Sequence, residues 1–272
     1  MMRALWTAAS GMTAQQLNVD TISNNLSNVN TYGYKKERLE FKTLLYETMQ
    51  KADLDASYAT GRPVNLQVGH GVRPIASSRS FMQGNLQVTN NYLDFAIEGN
   101  GFFVIQRGNG EITYGKDGAF KLSVMDEGNM IVTAEGYPVL GVDGEPIIIP
   151  FEIIVSSVTV DESGMFFYSD ADNQTQDLGF QFDLVQFPNP QGLLADGANL
   201  YKTTSASGEA MHEADGEVPK LSRIRQMTLE MSNVAVADEM VNLIIAQRAY
   251  ELNSKAIQTS DDMLQTANNL KR

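Results

Sequence analysis

The chain contains no cysteine. That excludes disulfide staples and thiolate-ligated metal sites, and it makes an oxidising compartment harmless to the protein. Histidine is nearly as scarce, with His70 and His212 the only two, so imidazole-based catalysis or metal binding has little to draw on. No run of about eighteen apolar residues occurs, and no membrane-spanning helix or membrane insertion is expected. The N-terminus lacks a basic region followed by an apolar core and a small-residue cleavage site, so export, if it happens, uses a route that leaves this end uncut. A basic stripe able to displace counterions from phosphates is missing too, which argues against nucleic acid as a partner.

The net charge of -13 is unevenly spread. Residues 1–46 carry five basic and three acidic side chains, and residues 220–272 carry seven and six. The middle therefore holds all of the excess acid, and both ends are slightly basic. Near-neutral ends can associate without long-range repulsion, whereas an acidic centre resists non-specific contact.

The most ordered pattern lies at the two ends. Leu5, Ala8, Met12, Gln15, Val19, Ile22, Leu26 and Val29 follow one another at alternating spacings of three and four, up to Asn30 and Gly33. Leu243, Ala246, Tyr250, Asn253, Ile257, Ser260, Leu264 and Ala267 repeat that rhythm. This is the a/d seam of a coiled coil. Asn233 reads as an N-cap for the second helix, with Asp238 and Glu239 in its opening turns and Lys271 and Arg272 at its close. At about 1.5 Å per residue the helices would be roughly 40 and 55 Å long. Each stripe is narrow and needs a partner. The partner is either the seam of other copies or, more simply, the other terminal helix of the same chain.

Between the ends the period changes. Glu37 to Met49 reads as an extended segment followed by a short helix. Gln50 to Gln67 holds few large apolar residues and the breaker Gly61-Arg62-Pro63; a stretch of that length without structure is usually functional or disordered. From Val68 a period of two takes over, punctuated at intervals near ten residues by turns such as Gly99-Asn100-Gly101, Asn109-Gly110, Asp117-Gly118, Glu127-Gly128-Asn129 and Asp143-Gly144. That spacing reads as an all-β domain of hairpins and meanders. Met227, Leu229 and Met231 alternate as its last strand. The fold class is therefore α+β, with long N- and C-terminal helices forming a coiled-coil-like core layer and a central all-β domain. The expected segments are 1–46 (helix and following segment), 47–67 (extended insert), 68–231 (β domain) and 232–272 (C-terminal helix).

Chemistry-bearing motifs are sparse. Gly69-His70-Gly71 lacks the third glycine and the following helix of a dinucleotide site, and a tight turn explains it. His212-Glu213-Ala214-Asp215 offers a single imidazole. Asp170-Ala171-Asp172 with Asp177 would need glycine at Thr175 and glutamate at Gln181 to make a calcium loop. No nucleophile elbow, phosphate loop or HExxH is present. The expectation is no enzyme, no cofactor and no metal.

The ends carry a resemblance. Ser23-Asn24-Asn25-Leu26-Ser27-Asn28-Val29-Asn30-Thr31-Tyr32-Gly33-Tyr34-Lys35-Lys36 is similar to the N-terminal signature of the bacterial flagellar rod and hook proteins, with Tyr34 where phenylalanine is usual. Ser232-Asn233-Val234, Glu239-Met240-Val241 and Gln247 to Lys255 resemble that family's C-terminal signature. Gly84-Asn85-Leu86, Asp94 to Ile97, Gly99 to Phe103 and Asn199-Leu200-Tyr201 agree in the middle. Length and the place of the insert align the chain with the distal-rod members rather than the longer hooks. The resemblance implies a structural subunit that polymerises with copies of itself into a rigid, hollow shaft. That shaft would transmit torque, carry the export channel, cross the periplasm, and meet the proximal rod, the hook and the surrounding ring proteins. The seam residues Leu5, Met12, Val19, Ile22, Asn25, Leu26 and Val29, and Leu243, Ala246, Tyr250, Asn253, Ile257 and Leu264, would then be self-assembly positions. Asn24, Asn25, Asn28 and Asn253 would set register. Asp53, Tyr58, Arg62 and Pro63 of the insert would lie between subunits. Another axial protein of the apparatus is the near alternative, and a carbohydrate-binding β module or enzyme with helical arms the far one.

Overall fold

The computed structural model describes residues 2–50, 64–126, 128–169, 175–216 and 218–270. The chain is α+β, with a helix at each end and a β-rich centre. It divides into two compact units, one made of Met1–Ser27, Glu37–Ser78 and Ala235–Arg272, the other of Asn28–Lys36 and Arg79–Val234. Among the described residues no helix is long and apolar enough to cross a membrane.

The first unit is built on two helices, α1 (Met2–Ser27) and α2 (Val236–Asn269). They run antiparallel: Asn25, late in α1, meets Glu239, early in α2, and Gly11 faces Asn253. A Cβ at position 11 would lie 2.8 Å from the Asn253 side-chain nitrogen, so glycine leaves room for that amide against α1. α1 ends at Ser27 rather than continuing to Asn30, because residues 28–30 turn.

The same unit contains a long two-stranded ribbon. Strand Glu37–Thr43 pairs with Val72–Arg79, and Tyr46–Gln50 pairs antiparallel with Leu66–Gly69, matching Tyr46 to Gly69. The amide of Leu44 donates to Gly71 O at 2.9 Å and carries the ladder across the break between the two stretches. The short helix expected within Glu37–Met49 does not form. Its backbone groups are satisfied by a strand 16 to 23 residues away, a pairing that no local pattern reveals. The ribbon lies along α1, with Glu37 at Asn25, Val72 at Ser10 and Glu47 at Arg3.

The second unit is centred on an antiparallel six-stranded sheet in the order Leu194–Ala195, Leu200–Lys202, Ile112–Gly115, Phe102–Gln106, Leu184–Gln186, Met211–His212. Along Phe102–Gln106 alternate side chains enter opposite clusters. Phe103 and Ile105 join Phe95, Phe120, Ile131 and Phe182; Phe102 and Val104 join Tyr114, Leu140, Val185 and Tyr201. Both faces are thus covered, and the sequence there is a continuous apolar run. Rings meet edge to face, as Phe95 and Phe182 do at 5.1 Å between centroids. The outer strands of the sheet are two residues long, which leaves little open edge.

The expected last strand over Met227 to Met231 is shortened to Thr228–Glu230, and another strand precedes it. Arg223–Gln226 pairs with Phe95–Glu98, and Thr228–Glu230 pairs with Leu86–Val88. Between them Met227 adopts a left-handed φ of 55°, a conformation that L-residues other than glycine adopt seldom. The alternation of Met227, Leu229 and Met231 hides this switch of partner.

Candidate assembly surface and chain junction

The α1–α2 contact within one chain includes seam positions Asn25, which meets Glu239, and Asn253, which faces Gly11. Ile22, Asn25 and Ala246 are buried; Leu5, Met12, Val19, Leu26, Leu243, Asn253 and Ile257 are half-buried; Tyr250 and Leu264 stay exposed. Val29 falls in the turn after the helix. Asp53, Tyr58, Arg62 and Pro63 lie outside the described residues, as do Lys271 and Arg272.

Asn25 is the polar centre of that contact, with 1% of its surface exposed. Its side-chain amide donates to Glu37 O at 2.8 Å and to Glu239 Oε2 at 3.3 Å, and its Oδ1 accepts from the Glu37 N–H at 2.9 Å. One amide therefore joins α1, the ribbon and α2. A seam asparagine was expected to set register. Within one chain, Asn25 is held by a backbone clamp at Glu37 and by the buried carboxylate of Glu239.

The sequence reading missed a second apolar face on α2. Met240, Val241, Ile244, Ile245 and Leu252 are all more than half exposed. At about 100° per residue they lie opposite Glu239, Leu243, Ala246 and Asn253, which face α1. Over residues 240–246 the helix is apolar around most of its circumference, the composition of a helix covered on all sides. The signal was present in Met240-Val241-Asn242-Leu243-Ile244-Ile245-Ala246, which carries more apolar residues than a two-position seam needs. The ribbon adds Leu45, Tyr46, Met49 and Leu66, again exposed.

In the second unit the motif residues of both chain ends converge on one junction. Gly33 takes a φ of 67°, and a Cβ there would lie 2.8 Å from the Asp117 amide nitrogen; its N–H donates to Glu230 O at 2.9 Å. The Lys35 ammonium is fully buried, 2.6 Å from Glu230 Oε1, and also donates to Met82 O. The same Glu230 oxygen accepts from the Gly84 N–H at 2.7 Å. Asn233 does not cap α2, whose N-cap is Ala235 without a side-chain bond. Instead its Oδ1 accepts from the Lys36 N–H, and its amide donates to Ser80 O and Met82 O. Segments 33–36, 80–84 and 230–233 are thereby knotted together.

Lys116 sits close by, donating to Gly99 O at 2.9 Å with its ammonium 5.1 Å from the Phe102 ring centroid. Burial, reinforced by the charge of Lys35, lowers its pKa to about 8.

The histidines lie elsewhere. His70 Nε2 is 3.6 Å from Glu47, both well exposed. His212 Nδ1 is 2.9 Å from the carboxylate of Asp183, whose pKa burial raises against the opposing pull of that histidine. Glu213 turns inward to accept from the Ser222 N–H and the Gln186 amide. Of the acidic stretch considered for calcium, residues 170–174 lie outside the described residues, and Asp177 accepts from the Gly179 N–H. Among the described residues no three His, Asp or Glu side chains are grouped to hold a metal ion.

Three family descriptions match the chain: "Flagella basal body rod protein" over residues 5–35, "Flagellar hook protein FlgE/F/G D1 domain" over 96–168, and "Flagellar basal body rod FlgEFG protein C-terminal" over 225–270. The first and last cover α1 with the Gly33–Lys35 turn, and the junction strands with α2. The chain is 52% identical to flagellar basal-body rod protein FlgG of Borreliella burgdorferi, covering 100% of both chains. It is 43% identical to FlgG of Caulobacter vibrioides, covering 99% of this chain and 100% of that one. It is also 34% identical to the flagellar hook-basal body complex protein FlhP of Bacillus subtilis, covering 100% of both. The chain belongs to the family of flagellar basal-body rod proteins.

Proposed function

We propose that this protein is a structural subunit of the distal rod of the bacterial flagellum, polymerising with copies of itself into a straight, hollow drive shaft. Full-length identity to FlgG rod proteins supports the assignment. The observation that carries the mechanism is the apolar outer face of α2, which one chain leaves in water. A helix with seam on one side and apolar surface on the other belongs between two neighbours. In this reading the helices of many copies form the core layer around the export channel, the β-rich regions form the outer layer, and each contact joins unlike faces, so the array stays open. The insert with Asp53, Tyr58, Arg62 and Pro63 lies between subunits and stiffens the shaft. The polymer crosses the periplasm. It joins the proximal rod to the hook inside the surrounding ring proteins.

Similarity to the hook-basal body complex protein FlhP keeps a second reading, another axial protein of the same apparatus. Assembly of purified chain, imaged by electron microscopy, separates the two. Straight tubes support the distal rod and curved ones a hook-like role, while a chain that stays monomeric at any concentration overturns both.

A further inference from the structure

Trp6 is the chain's single tryptophan, and 74% of its surface is exposed on α1. With the exposed Leu17 it shares a face of α1 that, at about 100° per residue, points away from Gly11 and Ile22, the side that meets α2. Elsewhere on the helix pair lies a groove of about 430 Å³ lined by Gln16, Val19, Gln247, Tyr250 and Glu251. Val19 and the Tyr250 ring supply apolar wall, and Gln16, Gln247 and Glu251 carry side-chain oxygens able to accept from an indole N–H. Such a groove suits one large amphipathic ring.

The chain's own Trp6 does not reach it. Trp6 precedes Gln16 and Val19 by ten and thirteen residues, about 15 to 20 Å along the helix axis. We propose that Trp6 of one copy seats in the Val19–Tyr250 groove of the next. This rests on the polymer reading above and specifies one of its contacts. In the open array of that reading the contact is heterologous. Each copy uses its ring on one neighbour and its groove on another, which propagates an open array instead of closing a dimer.

The lone indole reports on the contact directly in the full-length chain. Acrylamide quenching of Trp6 fluorescence is measured for monomer and for polymer. Strong quenching in the monomer, lost on assembly together with a shift of emission to shorter wavelength, is the expected result. Trp6→Ala, with helicity unchanged by circular dichroism because the side chain is exposed, should raise the critical concentration by about 30-fold or more, as loss of a central aromatic anchor does. Tyr250→Ala retains the indole and provides a second readout. Its polymers should show Trp6 quenched more strongly than in the parent, and Trp6→Ala combined with Tyr250→Ala should cost less than the sum of the two changes. Polymers in which Trp6 is as accessible as in the monomer, or strictly additive effects of the two substitutions, would overturn the groove contact and leave the polymer reading standing. Failure of the unmodified chain to polymerise would overturn both.

Discussion

Lys35 and Glu230 meet at 2.6 Å with their side chains almost wholly removed from solvent. One follows α1 in the chain and the other precedes α2, so a single ion pair ties together, within the β-rich unit, segments from the two ends of the chain. Removing one partner strands a buried charge. Lys35→Met or Glu230→Gln should cost about 3–5 kcal/mol, whereas Lys35→Met with Glu230→Leu should cost markedly less. Urea unfolding followed by near-ultraviolet circular dichroism measures both.

Gly33 makes the same junction possible by adopting a conformation that a side chain resists. Gly33→Ala places a Cβ 2.8 Å from the Asp117 nitrogen and adds left-handed strain, a combined loss of about 2 kcal/mol or more. A lower urea midpoint with unchanged slope is the signature.

Lys116 gives the junction a pH dependence of known sign. Its folded-state pKa, lowered to about 8 by burial, lies below the ordinary 10.5. Between those values the unfolded chain binds more protons than the folded one, so stability rises with pH and is lowest, on this account, at and below pH 8. The full swing is about 3 kcal/mol. Comparing the parent with Lys116→Met between pH 7 and 10 isolates it, since the variant should lose that part of the slope.

Two aspartate substitutions on the helix pair separate folding from assembly. Ile245 is exposed, so Ile245→Asp should change monomer stability by no more than about 0.5 kcal/mol while abolishing polymerisation. Ile22 is buried, and Ile22→Asp should unfold the helix pair first, by several kcal/mol, leaving the β-rich unit cooperative. Sedimentation and thermal melts distinguish the two outcomes.

Much of this was legible in the sequence because its signals are local. The three-four spacing of Leu5 to Leu26 and of Leu243 to Ile257 marks two helices, and the Gly-containing turns near Gly101, Gly110 and Gly118 mark a β region. The coincidence of Gly33, Lys35 and Asn233 with recognisable end motifs marks the family. What stayed hidden depends on partners distant in the chain. Tyr46–Gln50 is a strand only because Leu66–Gly69 pairs with it. Asn233 resembles a cap but finds Lys36, Ser80 and Met82. The alternation through Met227 masks a change of partner strand. The outer face of α2 was hidden differently: Met240 to Ala246 reads as a seam with surplus apolar residues, and only packing shows which of them α1 leaves uncovered.

The central claim is that the terminal helices bind copies of the chain through surface that one chain leaves exposed. A helical reconstruction of the assembled polymer tests it most directly. The expected result is α2 in the inner layer, with Ile244 and Ile245 covered by a neighbouring copy. A tube whose bore is lined by the β-rich unit, with those two side chains facing bulk water, would contradict the account.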